Sequence, residues 1–149
     1  GLGLYGISPL AESDAADFNL KPVMRVSAKL IAIKNLKQGQ PVGYGARFIC
    51  PGDMPVGVVG MGYADGYPWS DGHSHVVIRD RQAAVIGRVS MDMLAVDLSA
   101  VSAPQIGEPV EIWGNRQPVE QVARDLHTIP YTLVCGITGR VKFHVIEQA

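Results

Sequence analysis

The residues in this chain best suited to chemistry are phenols set among glycines. Tyr44 lies in Pro41-Val42-Gly43-Tyr44-Gly45-Ala46-Arg47. Flanking glycines let the backbone take positive φ and approach another molecule closely, and they leave the ring uncrowded. A phenol displayed in this way can serve as an acid or a base. Its ordinary pKa of about 10 means that it needs help from its surroundings to act as a base near neutral pH. The same residues also describe a tyrosine packed on a turn, with the glycines there for geometry.

Other segments carry usable groups. Gly62-Tyr63-Ala64-Asp65-Gly66-Tyr67-Pro68-Trp69 sets three aromatics around an Asp-Gly pair. Such a loop either lines a ligand entrance or caps one end of a core. Gly87-Arg88-Val89-Ser90-Met91-Asp92-Met93, read as a strand, places Arg88, Ser90 and Asp92 on one face, a site or a solvated surface. Thr128-Ile129-Pro130-Tyr131 offers another loop-borne phenol, next to a helix. The opening Gly1-Leu2-Gly3-Leu4-Tyr5-Gly6 can turn backbone N–H groups toward an anion, although it lacks P-loop or dinucleotide spacing. The sequence has no Gly-x-Ser-x-Gly elbow and no zinc signature, so no metal is expected. Cys50 and Cys135 read as free thiols in a reducing compartment, and the four histidines do not cluster.

These groups must be held by strands. Apolar and polar residues alternate from Val23 to Lys34, and a shorter run from Val42 to Phe48 is interrupted by the Gly-Tyr-Gly unit. Met54–Met61, His75–Arg79, Ala83–Val89, Met93–Leu98, Glu108–Trp113 and Arg140–Ile146 read as further strands. Val119, Val122, Ala123 and Leu126 fall at helical spacing after Pro118, and a second helical piece is expected over Tyr131–Ile137. The pattern predicts a mainly β fold: a Greek-key-like, partly closed antiparallel barrel with one or two short helices. Ala11–Leu20 reads as a connecting segment, and the apolar start reads as the tail of a buried strand from something larger. At 149 residues, 47% hydrophobic and 18% charged, with net charge −1, the chain has a globular composition. That charge gives no footprint for nucleic acid, and no apolar run is long enough to span a bilayer.

Taken in order, Leu4-Tyr5-Gly6 with Ser8-Pro9, Val42-Gly43-Tyr44-Gly45, Gly62-Tyr63-Ala64-Asp65-Gly66, Gly87 through Asp92, and Tyr131 before Arg140-Val141 resemble the C-terminal domain of alanine racemase. The resemblance covers nearly the whole chain. It implies a pyridoxal 5′-phosphate (PLP) enzyme that interconverts L- and D-alanine in the cytoplasm, supplying D-alanine for peptidoglycan. It implies residues 1–10 as the end of an N-terminal α/β barrel and residues 11–149 as the β domain. The lysine that carries PLP belongs to that barrel, and none of the lysines here has its context, so this chain alone is expected to be inactive. A homodimer is implied, with Tyr44 as the base for the α-proton of L-alanine in the partner subunit's site. Met91, through its backbone N–H, together with Asp92, Tyr63 and Arg88, is implied at the substrate and its access corridor. The Tyr131 hydroxyl and the Leu2 backbone are implied at the PLP phosphate. Thr132 and Gly139 depart from the family pattern, which more often has Glu and a larger residue there. A racemase acting more broadly on serine or lysine, and a non-catalytic β-barrel interaction domain, are the alternatives.

Overall fold

The alternation that begins near Pro22 builds the longest strand, β1 (Val26–Leu36). The computed structural model describes residues 1–10 and 13–146. The first two residues of the expected connecting segment, Ala11 and Glu12, and the last three of the chain lie outside the described residues. After β1 come β2 (Pro41–Val42), β3 (Phe48–Ile49), β4 (Met54–Val59), β5 (His75–Ile78), β6 (Arg81–Ile86), β7 (Leu94–Asp97) and β8 (Pro109–Trp113). Two short helices follow, α1 (Val119–Asp125) and α2 (Pro130–Gly136).

Six strands close an antiparallel barrel in the order β1-β4-β7-β6-β5-β8, so the barrel is complete rather than partly closed. β1 makes closure possible. Its first half pairs with β8 and its second half with β4, and its register slips between Leu30 and Ala32. An irregularity of this kind bends a strand and sharpens its twist, which lets one strand serve both sides of a barrel. The interior is filled by Leu30, Val59, Val76, Ile78, Leu94, Val96, Val110 and Ile112. α1 lays Val119, Val122 and Ala123 into the same core, as their spacing predicts, and α2 adds Leu133.

A smaller cluster matters more for function. Val42 and Cys50, at the two ends of the β2–β3 hairpin, pack with Met54 and Val56 of β4 and Ile86 of β6. Burial of a side chain such as Val42 contributes about 2 kcal/mol. The hairpin has only two residue pairs, Pro41 with Ile49 and Val42 with Phe48. Isolated hairpins are marginal, so this packing sets where the hairpin sits.

Four local expectations need correction. Val42–Phe48 is a hairpin with a turn, not one interrupted strand. Gly87–Met93 is a bend, because Gly87 takes φ 67 and turns the chain out of β6. The opening residues form a 3₁₀ turn (Leu2–Tyr5) that buries Leu2 rather than a strand tail. Residues 141–146 are irregular, with Phe143, Val145 and Ile146 exposed. Their alternation finds no partner, because β1 and β5 already occupy both sides of β8 and closure leaves no free edge.

Candidate active site

Tyr44 opens a 3₁₀ turn (Tyr44–Ala46) at the tip of the β2–β3 hairpin, and the residue is 71% exposed. Gly43 and Gly45 on either side take φ 73 and 71, the left-handed values that glycine adopts without steric cost. Gly43 is also a point of close approach. A Cβ there would lie 3.1 Å from the backbone N of Arg88, and a Cβ on Gly87 would lie 2.7 Å from the Val42 carbonyl oxygen. The hairpin therefore rests backbone to backbone on the start of the Gly87–Met93 bend.

The far end of that bend meets the aromatic loop. The Tyr63 N–H donates to the Ser90 carbonyl at 3.1 Å and the Ala64 N–H to the Met91 carbonyl at 2.8 Å. Another 3₁₀ turn, Tyr63–Asp65, begins here, and the Asp65 carboxylate accepts from the Gly62 N–H at 2.9 Å. These bonds present the half-exposed ring of Tyr63 beside the exposed Met91 and Asp92. The bend is closed by the Ser90 N–H donating to the Met93 carbonyl, and the N–H of Met91 has no backbone acceptor among the described residues.

One carboxylate joins these pieces. Asp71, further along the aromatic loop, accepts from Arg88 Nε at 2.8 Å on Oδ1 and from Arg47 Nε and Nη2 at 3.2 Å on Oδ2. The Arg88 guanidinium also lies 5.1 Å from the centroid of the Trp69 ring, within cation–π range. The hydrogen bond from Arg88, reinforced by Arg47, holds the Asp71 carboxyl below the usual carboxylate range. Sequence reasoning missed Asp71 and Arg47. Asp71-Gly72 looks like an ordinary turn pair, and only the fold brings it to arginines 17 and 24 residues away.

A separate group forms around Tyr131. This residue sits at the start of α2, where Pro130 supplies the first helical position, and it is half-exposed. Its hydroxyl lies 3.6 Å from where a Cβ on Gly1 would sit, so Tyr131 stands beside the residue that precedes Leu2. The N–H groups of Leu2 and Gly3 have no backbone acceptor among the described residues. Oriented N–H and O–H donors of this kind suit a phosphate dianion, so this donor set fits the phosphate end of PLP. The end of α2 also ties back to the aromatic loop. Thr138 Oγ1 donates to the Ala64 carbonyl at 2.7 Å and Arg140 Nε to Asp65 at 2.9 Å.

The structure thus gathers Tyr44, Arg88, Met91, Asp92 and Tyr63 through one chain of backbone and ionic contacts, and sets the Tyr131 hydroxyl beside Gly1, next to Leu2. The expected single face of Arg88, Ser90 and Asp92 does not form. Met91 and Met93 are exposed with Asp92, because the segment turns at Ser90–Met93 instead of running on as a strand. Of the loop's three aromatics, Tyr67 is core, 1% exposed and hydrogen-bonded to Ser74. Cys50 is buried and Cys135 exposed, and both are free. Among the described residues no cluster of His, Cys, Asp or Glu could hold a metal, and no helix is long and apolar enough to cross a membrane.

The family model described as "Alanine racemase, C-terminal domain" matches residues 23–145. The chain is 46% identical over 144 residues to an alanine racemase of Piscirickettsia salmonis, covering 96% of this chain and 87% of that one. It is 47% identical over 142 residues to an alanine racemase of Nitrosococcus oceani, covering 95% of this chain but 40% of that protein. Among solved structures, the biosynthetic alanine racemase of Pseudomonas aeruginosa superposes with a TM-score of 0.91 at 45% identity, over 95% of this chain and 40% of that one. The alanine racemase of Bartonella henselae with covalently bound pyridoxal phosphate superposes with a TM-score of 0.84 at 31% identity, over 95% and 39%.

Proposed function

This chain belongs to the alanine racemase family, to its C-terminal domain, and on that premise we propose that it works as part of a PLP-dependent enzyme that interconverts L- and D-alanine. The observation that carries the reading is the placement of Tyr44: an exposed phenol on a glycine-flanked tip, seated against the loop that bears Met91.

Tyr44 takes the α-proton of L-alanine at its phenolic oxygen and returns a proton to the same face in the reverse direction. A tip this exposed lacks the walls of a site within its own chain, which suits a residue that reaches into a partner subunit in a homodimer. Met91 offers a backbone N–H that the fold leaves without an internal backbone acceptor, suited to the substrate carboxylate. Asp92, Tyr63 and Arg88 line the approach, and the ionic tie of Arg88 to Asp71 keeps its cation in place. Tyr131 and the Leu2 backbone would hold the phosphate of PLP. When bound, that group supplies the electron sink that makes an α-proton removable. No residue of this chain is assigned to covalent attachment. Residues 1–10 belong to the end of the barrel domain and the following residues to the β domain, and the enzyme acts in the cytoplasm.

The test is Tyr44→Phe in the full-length racemase that carries this domain. Loss of a positioned general base lowers the rate by roughly 10²–10⁴-fold, so racemisation of L-alanine should fall by that much. An unchanged rate overturns the reading and favours a non-catalytic domain. Rates on lysine or serine equal to those on alanine overturn the alanine assignment.

A further inference from the structure

We propose that Asp71 is a positioning residue, a carboxylate clasp that fixes the Tyr44 hairpin against the loops carrying Met91 and Tyr63. The inference deepens the function proposed above and rests on it.

Three segments distant in sequence converge on this side chain. Arg47 follows the Tyr44–Ala46 turn directly, and its Nε and Nη2 both reach Asp71 Oδ2 at 3.2 Å. Arg88 lies two residues before Ser90, and its Nε reaches the other oxygen, Oδ1, at 2.8 Å. Asp71 itself belongs to the loop that begins at Gly62 and carries Tyr63. Each carboxylate oxygen therefore serves one arginine, and each arginine belongs to a different piece of the site. Charge-assisted bonds of this kind are directional, so they set orientation as well as proximity.

The hairpin needs such a tie. It has two residue pairs of its own, and its buried anchors are Val42 and Cys50, whereas residues 43–47 of the turn beyond Val42 are all exposed. The backbone contact of Gly43 with Arg88 stops the tip from moving inward. Nothing in that contact stops it from swinging outward, and the Arg47–Asp71 pair does. Trp69, two residues before Asp71, lies against the Arg88 guanidinium and limits its swing. A displacement of about 1 Å at a catalytic group can cost two orders of magnitude in rate, so a clasp at this point has kinetic weight.

The test uses Asp71→Asn, with Arg47→Gln as a second variant that releases only the hairpin side, both in the full-length racemase. Amide hydrogen exchange of the apoenzyme is read at residues 43–48. Both variants should raise exchange there by roughly fivefold or more while the barrel strands stay at the wild-type rate. In the holoenzyme, kcat/KM should fall roughly tenfold. The α-deuterium isotope effect should rise with L-alanine and not with D-alanine, and Asp71→Glu should recover part of both changes. Wild-type exchange at 43–48 in both variants overturns the clasp. Raised exchange with an unaltered isotope effect on L-alanine upholds the clasp and instead overturns Tyr44 as the L-specific base, so the two failures are distinguishable.

Discussion

Replacing Gly62 with alanine should separate the two loops that frame the proposed substrate position. Gly62 has an extended backbone, φ −147 and ψ −164, which any residue can adopt, so the effect is purely steric. Its added Cβ would lie 2.3 Å from the Ser90 carbonyl oxygen and 2.5 Å from both the carbon and the oxygen of the Met91 carbonyl. Ordinary contact begins near 3.4 Å, so one backbone must retreat by roughly 1 Å. The atoms in the way are backbone, with no flexible side-chain end to yield. The retreat breaks or stretches the bonds from Tyr63 to Ser90 and from Ala64 to Met91. At about 1 kcal/mol each, their loss destabilises the domain by about 2 kcal/mol, or roughly 5 °C in its melting midpoint. It also moves the Met91 N–H and the Tyr63 ring apart by about the shift that costs an enzyme a hundredfold in rate. The assay is steady-state racemisation by the full-length G62A enzyme at a temperature well below its midpoint, with a calorimetric melt beside it. A variant with wild-type kcat/KM and midpoint would show that the two loops do not position one another.

Gly57→Ala should test the barrel interior, since a Cβ on β4 would meet Leu30 Cδ1 at 2.7 Å and Leu98 Cδ1 and Val96 Cγ2 at 3.0 Å. Overpacking of this kind costs about 1–3 kcal/mol, so the urea midpoint should fall with an unchanged m-value, and a raised midpoint would contradict the packing. Tyr67 should govern part of the alkaline stability. Burial pushes its phenol up to about 12, only partly offset by the hydrogen bond with Ser74, so the fold holds the neutral form. A raised pKa of this sort stabilises fully below the unfolded value near 10 and is lost as pH climbs through the folded value. The loss is about 2–3 kcal/mol between pH 10 and 12. Tyr67→Phe should be less stable near pH 7 by about 1–3 kcal/mol, because Ser74 loses its partner, yet flatter between pH 10 and 12. Parallel curves for the two proteins would refute the assignment.

Much of the architecture was legible because its signals are local. Val119, Val122, Ala123 and Leu126 announce a helix through their spacing alone, and the strands after Pro22 show themselves by alternation. Tyr44 and Tyr63 were legible as candidates because glycines and turn residues mark them. Alternation misled where the chain bends: Gly87–Met93 has the residue order of a strand, but the left-handed Gly87 takes it out of the sheet. It misled again at residues 141–146, where pairing depended on a free barrel edge that closure removes. The junctions within the site were not legible at all. No spacing rule predicts that Asp71 will stand between Arg47 and Arg88, or that Gly62 is required by a carbonyl 28 positions on; both depend on which strands pair, β4 with β7 and β5 with β6.

The central claim is that Tyr44 serves one face of the substrate only. It is tested most directly by exchange of the α-hydrogen with deuterated solvent, followed by NMR, in full-length Tyr44→Phe holoenzyme given each enantiomer separately. The account predicts that L-alanine keeps its α-hydrogen, while D-alanine still exchanges its own with retention of configuration. Loss of the α-hydrogen from L-alanine at the wild-type rate, or equal impairment of exchange for both enantiomers, would contradict it.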